Sequence, residues 1–310
     1  MGYIRSVSVE KKIILQQVLD GLMRRYRERV PDVALILDTM VREGLIREAS
    51  EIENDHIAFR SLGVPHLGIA SLEKIFVHLG YVRRDPYYFP AKKLNAFWYA
   101  PPEPHLPRIF LSELRVDDLP ERSKAVVYRY TRTIEADPVD ALDLDDAAAI
   151  DRFLHSGNWP VPSWEDYELL AADSEYASWA IYNRYYLNHF TISVHNLPAG
   201  YNTVVDFNRF LEEHGFVLND SGGKIKVSPD GGLLQSSTVA RMVTAEFAGG
   251  QQKEIPGSYV EFAERRVLPA FAHLPVSAIR REHRREGFEA GNADKIFEST
   301  FASQTGRRAD

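Results

Sequence analysis

The sequence predicts an α+β protein. Two βαβββ modules form a curved sheet around a metal site, with additional helices at the N-terminus and between the modules. Three observations predict this. The order strand–helix–strand–strand occurs twice along the 310 residues. The two runs open alike, as Asn54-Asp55-His56-Ile57-Ala58-Phe59-Arg60 and Leu187-Asn188-His189-Phe190-Thr191-Ile192-Ser193, where a polar residue precedes a His and an apolar residue follows it. The helix after each opening ends in a Gly and an aromatic, Leu79-Gly80-Tyr81 and His214-Gly215-Phe216. An internal repeat of this kind constrains the fold before any single element does.

The elements follow in chain order. From Val9 to Glu48 apolar residues (Leu15, Val18, Leu19, Leu22, Val33, Leu35, Leu37) recur at helical spacing, with a break near Pro31. His56 to Arg60 alternates like a strand. Ser71 is read as opening a helix, Leu72–Leu79, that stops at Gly80. Strand-like runs follow at Lys93–Tyr99 and Arg108–Leu114. Asp117 to Tyr186 is mostly helical. The strand pattern returns at His189–Val194, then a helix from Val204 to His214. After it come strand-like Lys224–Val227, Gly232–Val239, Met242–Phe247 and Ser258–Ala263. The implied organisation is an N-terminal helical segment (1–50), a first module (51–116), a helical insertion (117–186), a second module (187–266) and a C-terminal segment closing the site (267–310), all in one compact catalytic domain.

Composition narrows the chemistry. Hydrophobic residues make up 45% and charged residues 26%, ordinary values for a globular chain. The absence of cysteine excludes thiol catalysis, Cys-ligated zinc and iron–sulfur clusters, so a metal must be held by His, Asp or Glu. A net charge of −7 argues against a nucleic-acid partner. The basic run Arg280, Arg281, His283, Arg284, Arg285 reads as a solvated, charged helix. No apolar run approaches the roughly 20 residues of a membrane span, so no membrane partner is expected. The N-terminus has no apolar signal-peptide core, and a cytoplasmic location is expected.

Alternation puts His56, Ala58 and Arg60 on one strand face, and His189, Thr191, Ser193 and the following His195 on another. The opposite faces, Ile57/Phe59 and Phe190/Ile192/Val194, are apolar and must pack on helices. Polar groups turned into an interior need partners, at about 1–3 kcal/mol each if left without them. A metal and a polar substrate supply such partners. Two His and one carboxylate make a facial triad, which suits Fe(II) acting on O2 and a bidentate substrate, although another divalent metal also fits. Glu261 offers the carboxylate, isolated in the apolar alternation Tyr259-Val260-Glu261-Phe262-Ala263. Without the repeat, His56 and His189 would read as core histidines satisfied by backbone groups.

Glu113, in the corresponding strand of the first module, is open to three readings: a fourth ligand, a base behind the ligands, or an ordinary strand residue. Arg60, four residues or about 13 Å along the strand from His56, is either a bidentate clamp for a substrate carboxylate or half of a structural ion pair. Gln235, Ser236 and Ser237 lie on a run expected to cross the cavity, where Gln235 and Ser237 are candidate substrate contacts. His195 is a candidate at the mouth. Gly287 to Phe301 is either a lid or a terminal helix.

At these residues the sequence resembles the 2-oxoadipate dioxygenase/decarboxylase family, also called hydroxyglutarate synthase. The segments NDHIAFRSLG, PRIFLSEL, LNHFTISVHNLPAGYNTVVDFNRFLEEHGF, GGLLQSST, PGSYVEFAERR and GFEAGNADKIFESTF carry the resemblance, in order, from about Asp55 to Phe301. It implies a vicinal-oxygen-chelate-like fold, a metal set matching His56, His189 and Glu261, and a substrate-binding Arg matching Arg60. It also implies oxidative decarboxylation of a small 2-oxo acid by Fe(II) and O2, with 2-oxoadipate giving 2-hydroxyglutarate and CO2 in lysine catabolism. This chain is shorter than the bacterial enzymes of the family, which leaves another 2-oxo acid open as substrate. The competing readings are a glyoxalase-like metal-dependent lyase or isomerase and a non-catalytic small-molecule-binding protein. Oligomeric state is not legible.

Overall fold

The computed structural model describes residues 8–308; residues 1–7 of the expected N-terminal segment lie outside the described residues. In chain order the elements are α1 (Val9–Arg29), α2 (Pro31–Arg42), β1 (Asn54–Gly63), α3 (Ile69–His78), β2 (Val82–Phe89), β3 (Leu94–Ala100) and β4 (Arg108–Arg115). Four helices follow: α4 (Glu121–Thr131), α5 (Ala147–His155), α6 (Trp164–Asp173) and α7 (Glu175–Asn183). Then come β5 (His189–Ser193), α8 (Val204–Glu213), β6 (Lys226–Val227), β7 (Leu233–Ser237), β8 (Met242–Glu246), β9 (Gln252–Pro256), β10 (Tyr259–Arg265), α9 (Ala290–Ile296) and α10 (Ala302–Thr305). The chain divides into two compact units: residues 1–28, 58–188 and 244–255 in the first, and 29–57, 189–243 and 256–310 in the second. No helix among the described residues is long and apolar enough to cross a membrane.

In the first unit the strands run β2-β3-β4-β1, and the order along the chain is βαβββ. Phe59 on β1 meets Phe76 on α3 with ring centroids 5.4 Å apart, and Phe76 in turn meets Tyr81. This is the apolar face that alternation assigned to β1. The sequence reading had missed β2. Its residues, Val-Arg-Arg-Asp-Pro-Tyr-Tyr-Phe, are exposed along most of the strand, and its pairing with β3 slips between Arg83 and Pro86. An edge strand carrying charges, a proline and a bulge resists further pairing, and it also lacks the alternation by which buried strands are recognised. Helices α5, α6 and α7 start where Asp146, Ser163 and Ser174 accept backbone N–H groups.

The run Met242–Phe247, read as a strand of the second module, instead forms a separate two-stranded hairpin, β8–β9. Phe247 at its turn packs against Trp164, Tyr167 and Tyr182, so an aromatic anchor takes the hairpin to the α6–α7 helices.

In the second unit β5 pairs parallel with β10, β10 antiparallel with β7, and β7 antiparallel with β6. With the hairpin set aside, β5-α8-β6-β7-β10 is again βαβββ. Phe207 of α8 meets Phe262 of β10 at 5.2 Å, burying the apolar side of that strand. Buried Asp32 of α2 accepts from Arg241 and Arg308, which ties the chain's last described residue to this unit. The basic run is not a helix: Arg281–His283 make one short 3-10 turn and Arg284 is extended. Arg284 and Arg285 spend their guanidinium groups on the Arg265 and Phe288 carbonyls rather than on a solvated helix face.

The two modules share one device. Glu113 on β4 accepts the N–H of Ile69, the first residue of α3, at 2.9 Å. Glu264 on β10 accepts the N–H of Val204, the first residue of α8, at 2.9 Å. Each carboxylate satisfies an orphan donor and faces the positive end of a helix. The helix α3 therefore begins at Ile69 after Gly68 rather than at Ser71, whose hydroxyl donates to Asp137 instead. Gly68 has φ +78°, and a Cβ there would meet Glu113 Oε2 at 2.6 Å, so the carboxylate's approach needs glycine on both counts. The true counterpart of Glu113 is thus Glu264. Counting back along the strands, Glu261 corresponds to Phe110, which cannot bind a metal.

Candidate metal centre

All three candidate ligands lie in the second unit. His56 enters on the first residues of β1, which are fastened to β5 where the Ser193 N–H donates to the Glu53 carbonyl at 2.9 Å. His189 is the first residue of β5 and Glu261 the third of β10. Register pairs Tyr259 with His189 and Glu261 with Thr191, so His189, Thr191 and Glu261 share a sheet face. His56 Nε2 stands 3.3 Å from His189 Nε2 and 3.5 Å from Glu261 Oε1. His189 Nε2 stands 3.1 Å from Glu261 Oε2. The three residues are buried, and each offers a ligand atom within 4.8 Å of the others.

The tautomer of His56 follows from its other nitrogen. Nδ1 donates to Asp55 Oδ1 at 2.9 Å, which leaves the Nε2 lone pair facing His189 and Glu261. Asp55 is itself held by Arg265, whose Nε and Nη2 donate to its two oxygens at 2.6 and 2.9 Å. The Thr191 hydroxyl lies 3.1 Å from His56 Nε2. The Gln235 amide donates to Glu261 Oε1 at 2.6 Å, and its own oxygen accepts from Asn292 of α9. Rings close the sides: Phe288 packs edge-on to His56 at 4.8 Å and Tyr259 stacks on His189 at 4.8 Å.

Such a cluster wants a cation. Burial lowers the His56 pKa, but Glu261 and Asp55 outweigh it and raise the group above its ordinary range. Burial opposes the Glu261 anion, yet His56 and His189 hold its pKa below the usual carboxylate range. Two imidazole lone pairs and a carboxylate converging in a buried site are the donor set for a borderline divalent ion, with no soft ligand among the three residues. The residues therefore fit a metal.

The other expected site residues sort themselves out. Gln235 touches Glu261 directly. Ser237 is the register partner of Glu261, and its hydroxyl meets that of Ser299 at 2.8 Å. Ser236 points the other way, to Asn208. Arg60 lies in the first unit, its guanidinium carbon 5.0 Å from the ring centroids of both Tyr176 and Trp179. Glu113 is not in the ligand set; it holds α3. His195 sits past the end of β5 on a short 3-10 turn, where its Nδ1 accepts the N–H of Arg265. The segment from Gly287 to Phe301 packs into the second unit through Phe288, Asn292 and Ser299. Sequence reasoning missed Asp55 and Arg265. Asp55 carried a usable signal, since it is a carboxylate next to a candidate ligand His.

Residues 18–274 match the family of 2-oxoadipate dioxygenase/decarboxylase. The chain is 43% identical over 316 residues to the chloroplastic 2-oxoadipate dioxygenase/decarboxylase of Arabidopsis thaliana, covering 98% of this chain and 82% of that protein. It belongs to the 2-oxoadipate dioxygenase/decarboxylase family. The crystal structure of hydroxyglutarate synthase from Oryza sativa, in complex with 2-oxoadipate, superposes with a TM-score of 0.90 at 40% identity, over 99% of this chain and 98% of that one. A glyoxalase superfamily protein from Ralstonia eutropha, 22% identical, shares the fold with a TM-score of 0.68 over 90% of this chain and 86% of that one. The α+β fold of the 2-oxoadipate dioxygenase/decarboxylase family is thus vicinal-oxygen-chelate-like, as the repeat predicts. The cytoplasmic expectation is overturned by this relative, since the 43% identical Arabidopsis protein is chloroplastic. The missing apolar signal core did not bear on that question, because plastid transit peptides are amphipathic and Ser/Arg-rich rather than apolar.

Proposed function

We propose that this protein is an Fe(II)-dependent dioxygenase that converts 2-oxoadipate and O2 to 2-hydroxyglutarate and CO2, a step of lysine breakdown. One O2 is consumed, the C1–C2 bond breaks, C1 leaves as CO2 and both oxygen atoms end in the products. The observation that carries this reading is the convergence of His56, His189 and Glu261 in a chain matched end to end by the rice enzyme that binds 2-oxoadipate.

His56, His189 and Glu261 would hold the ion, which supplies Lewis acidity and the one-electron chemistry that O2 requires. The chain's own residues do the rest. Asp55 keeps a proton on His56 Nδ1. Gln235 fixes the Glu261 carboxylate by its amide. Phe288 and Tyr259 keep water from the ligand atoms. Arg60 is proposed as the clamp for a substrate carboxylate, oriented by Tyr176 and Trp179, with Gln235 and Ser237 as further substrate contacts. Segments 51–116 and 187–266 are proposed as the duplicated modules, flanked and joined by the helical segments.

The glyoxalase-like alternative gains nothing here, because Glu113, the residue that would complete a four-ligand set, is engaged with α3. The test is anaerobic reconstitution with Fe(II), followed by O2 uptake and CO2 release with 2-oxoadipate. Stoichiometric consumption of one O2 per CO2 with formation of 2-hydroxyglutarate is expected. Turnover without O2 would overturn the reading.

A further inference from the structure

Lys226 is 4% exposed, and among the described residues no carboxylate makes an ion pair with it. Its Nζ donates to the Asn219 carbonyl at 2.7 Å, a single neutral acceptor for a group with three donors. A buried ammonium without a counter-ion is costly unless something else neutralises it. Burial pulls its pKa down to about 8, against the attraction of Glu261, Asp220 and Glu298.

The strand register says where this ammonium lies. Lys226 pairs with Gln235, Gln235 with Ala263, and Ser237 with Glu261. Directly paired residues share a face, as do alternate residues along a strand. Lys226, Gln235, Ser237 and Glu261 therefore occupy one face of the second unit, which is the face of His189 and Thr191. Lys226 stands on β6, two strands from β10, or about 10 Å at the usual strand spacing. Gln235 and Ser237 line the interval between them.

We infer that Lys226 is a specificity-determining residue that receives the far carboxylate of a dicarboxylic 2-oxo acid whose 2-oxo end is held at His56, His189 and Glu261. This deepens the proposed function and rests on it. The chemistry of the group supports it, since an ammonium with one neutral acceptor keeps two N–H donors for a carboxylate. Gln235 and Ser237 supply polar contacts between the two ends. Asn219 holds the Nζ position by its carbonyl, and is itself fixed by donating to Ser299 and the Lys295 carbonyl.

The experiment compares 2-oxoadipate with 2-oxohexanoate, which has the same length but one carboxylate. Both are assayed for turnover and, without O2, for binding to the metal-reconstituted protein by calorimetry. Lys226→Met should lower kcat/KM and affinity for 2-oxoadipate by about 100-fold or more, and leave those for 2-oxohexanoate within about threefold. Lys226→Arg should restore much of the preference. If Lys226→Met fails to fold, Lys226→Gln, which keeps a donor for Asn219, carries the same comparison. Equal losses on both acids, or no loss on 2-oxoadipate, would overturn the inference. A wild-type protein that turns over neither acid would refute the proposed function instead, so the two failures are distinguishable.

Discussion

Asp55 and Arg265 are joined by two charge-assisted hydrogen bonds, and the Asp55 carboxylate so held is the acceptor that fixes His56 Nδ1. Both side chains are 1% exposed, so the pair is fully desolvated. Arg265 is anchored on its far side by the Arg285 and Gly287 carbonyls. The orientation of a metal ligand is thus set by residues that touch no metal. Asp55→Asn should lower affinity for Fe(II) or a stand-in such as Co(II) about 10- to 100-fold, the usual cost of losing a carboxylate behind a ligand His. Arg265→Met should do worse and destabilise the fold by about 3–5 kcal/mol, because it leaves Asp55 buried without its partner. Metal titration and chemical denaturation of both variants separate the two effects. Unchanged metal affinity in Asp55→Asn would leave the pair with a structural role only.

His56→Ala, His189→Ala and Glu261→Gln should each lose bound metal and activity while circular dichroism stays that of the parent. Metal content after anaerobic purification is the measurement. Full occupancy in any one variant would remove that residue from the ligand set.

Arg60→Lys keeps the charge but loses the planar fork and the stacking on Tyr176 and Trp179. Turnover of 2-oxoadipate should drop at least about tenfold with metal content unchanged. Parental kinetics would assign Arg60 to the packing of the first unit alone.

Glu113→Gln and Glu264→Gln should behave as a pair. Each weakens a carboxylate contact at a helix start, at about 0.5–2 kcal/mol, and neither should remove metal. Melting temperatures of the two variants, read beside their metal content, check this. Metal loss in Glu113→Gln would reopen the four-ligand reading.

His195 gives a pH signature. Burial pushes its pKa from 6.5 down to about 4, with Arg284 and Arg265 adding repulsion against the pull of Asp55. Above pH 6.5 the imidazole is neutral in both folded and unfolded chains. Below it, the unfolded chain takes up a proton that the folded one refuses. Stability is therefore lost as pH falls from about 6.5 to about 4, by at most about 3 kcal/mol. His195→Gln should flatten this part of the stability–pH curve. An unaltered slope would place the acid sensitivity elsewhere.

Much of the site was legible because it breaks local rules. His56, His189 and Glu261 are polar residues inside apolar alternations, and the duplicated openings pointed to the same two histidines. What was illegible depends on contacts far apart in sequence. Arg265 lies 210 residues from Asp55, and no pattern near either one announces the pair. Lys226 gains its meaning only from the register of β6 on β7. Glu113 looked like Glu261 because both are lone acids in apolar strands. The difference is three positions of register, which only the helix starts at Ile69 and Val204 reveal. β2 went unread because an exposed edge strand has no buried face to alternate.

The cysteine-free chain has no covalent cross-link, and His56 and His189 are 133 residues apart in sequence. An ion gripped by both, and by Glu261, acts as a removable staple. It closes a loop of more than a hundred residues, which in a disulfide-bonded chain constrains the unfolded ensemble by about 4–5 kcal/mol. Chelation should therefore do more than silence the enzyme. It should loosen the second unit first, and hydrogen exchange at β5 and β10 would register the release ahead of global melting.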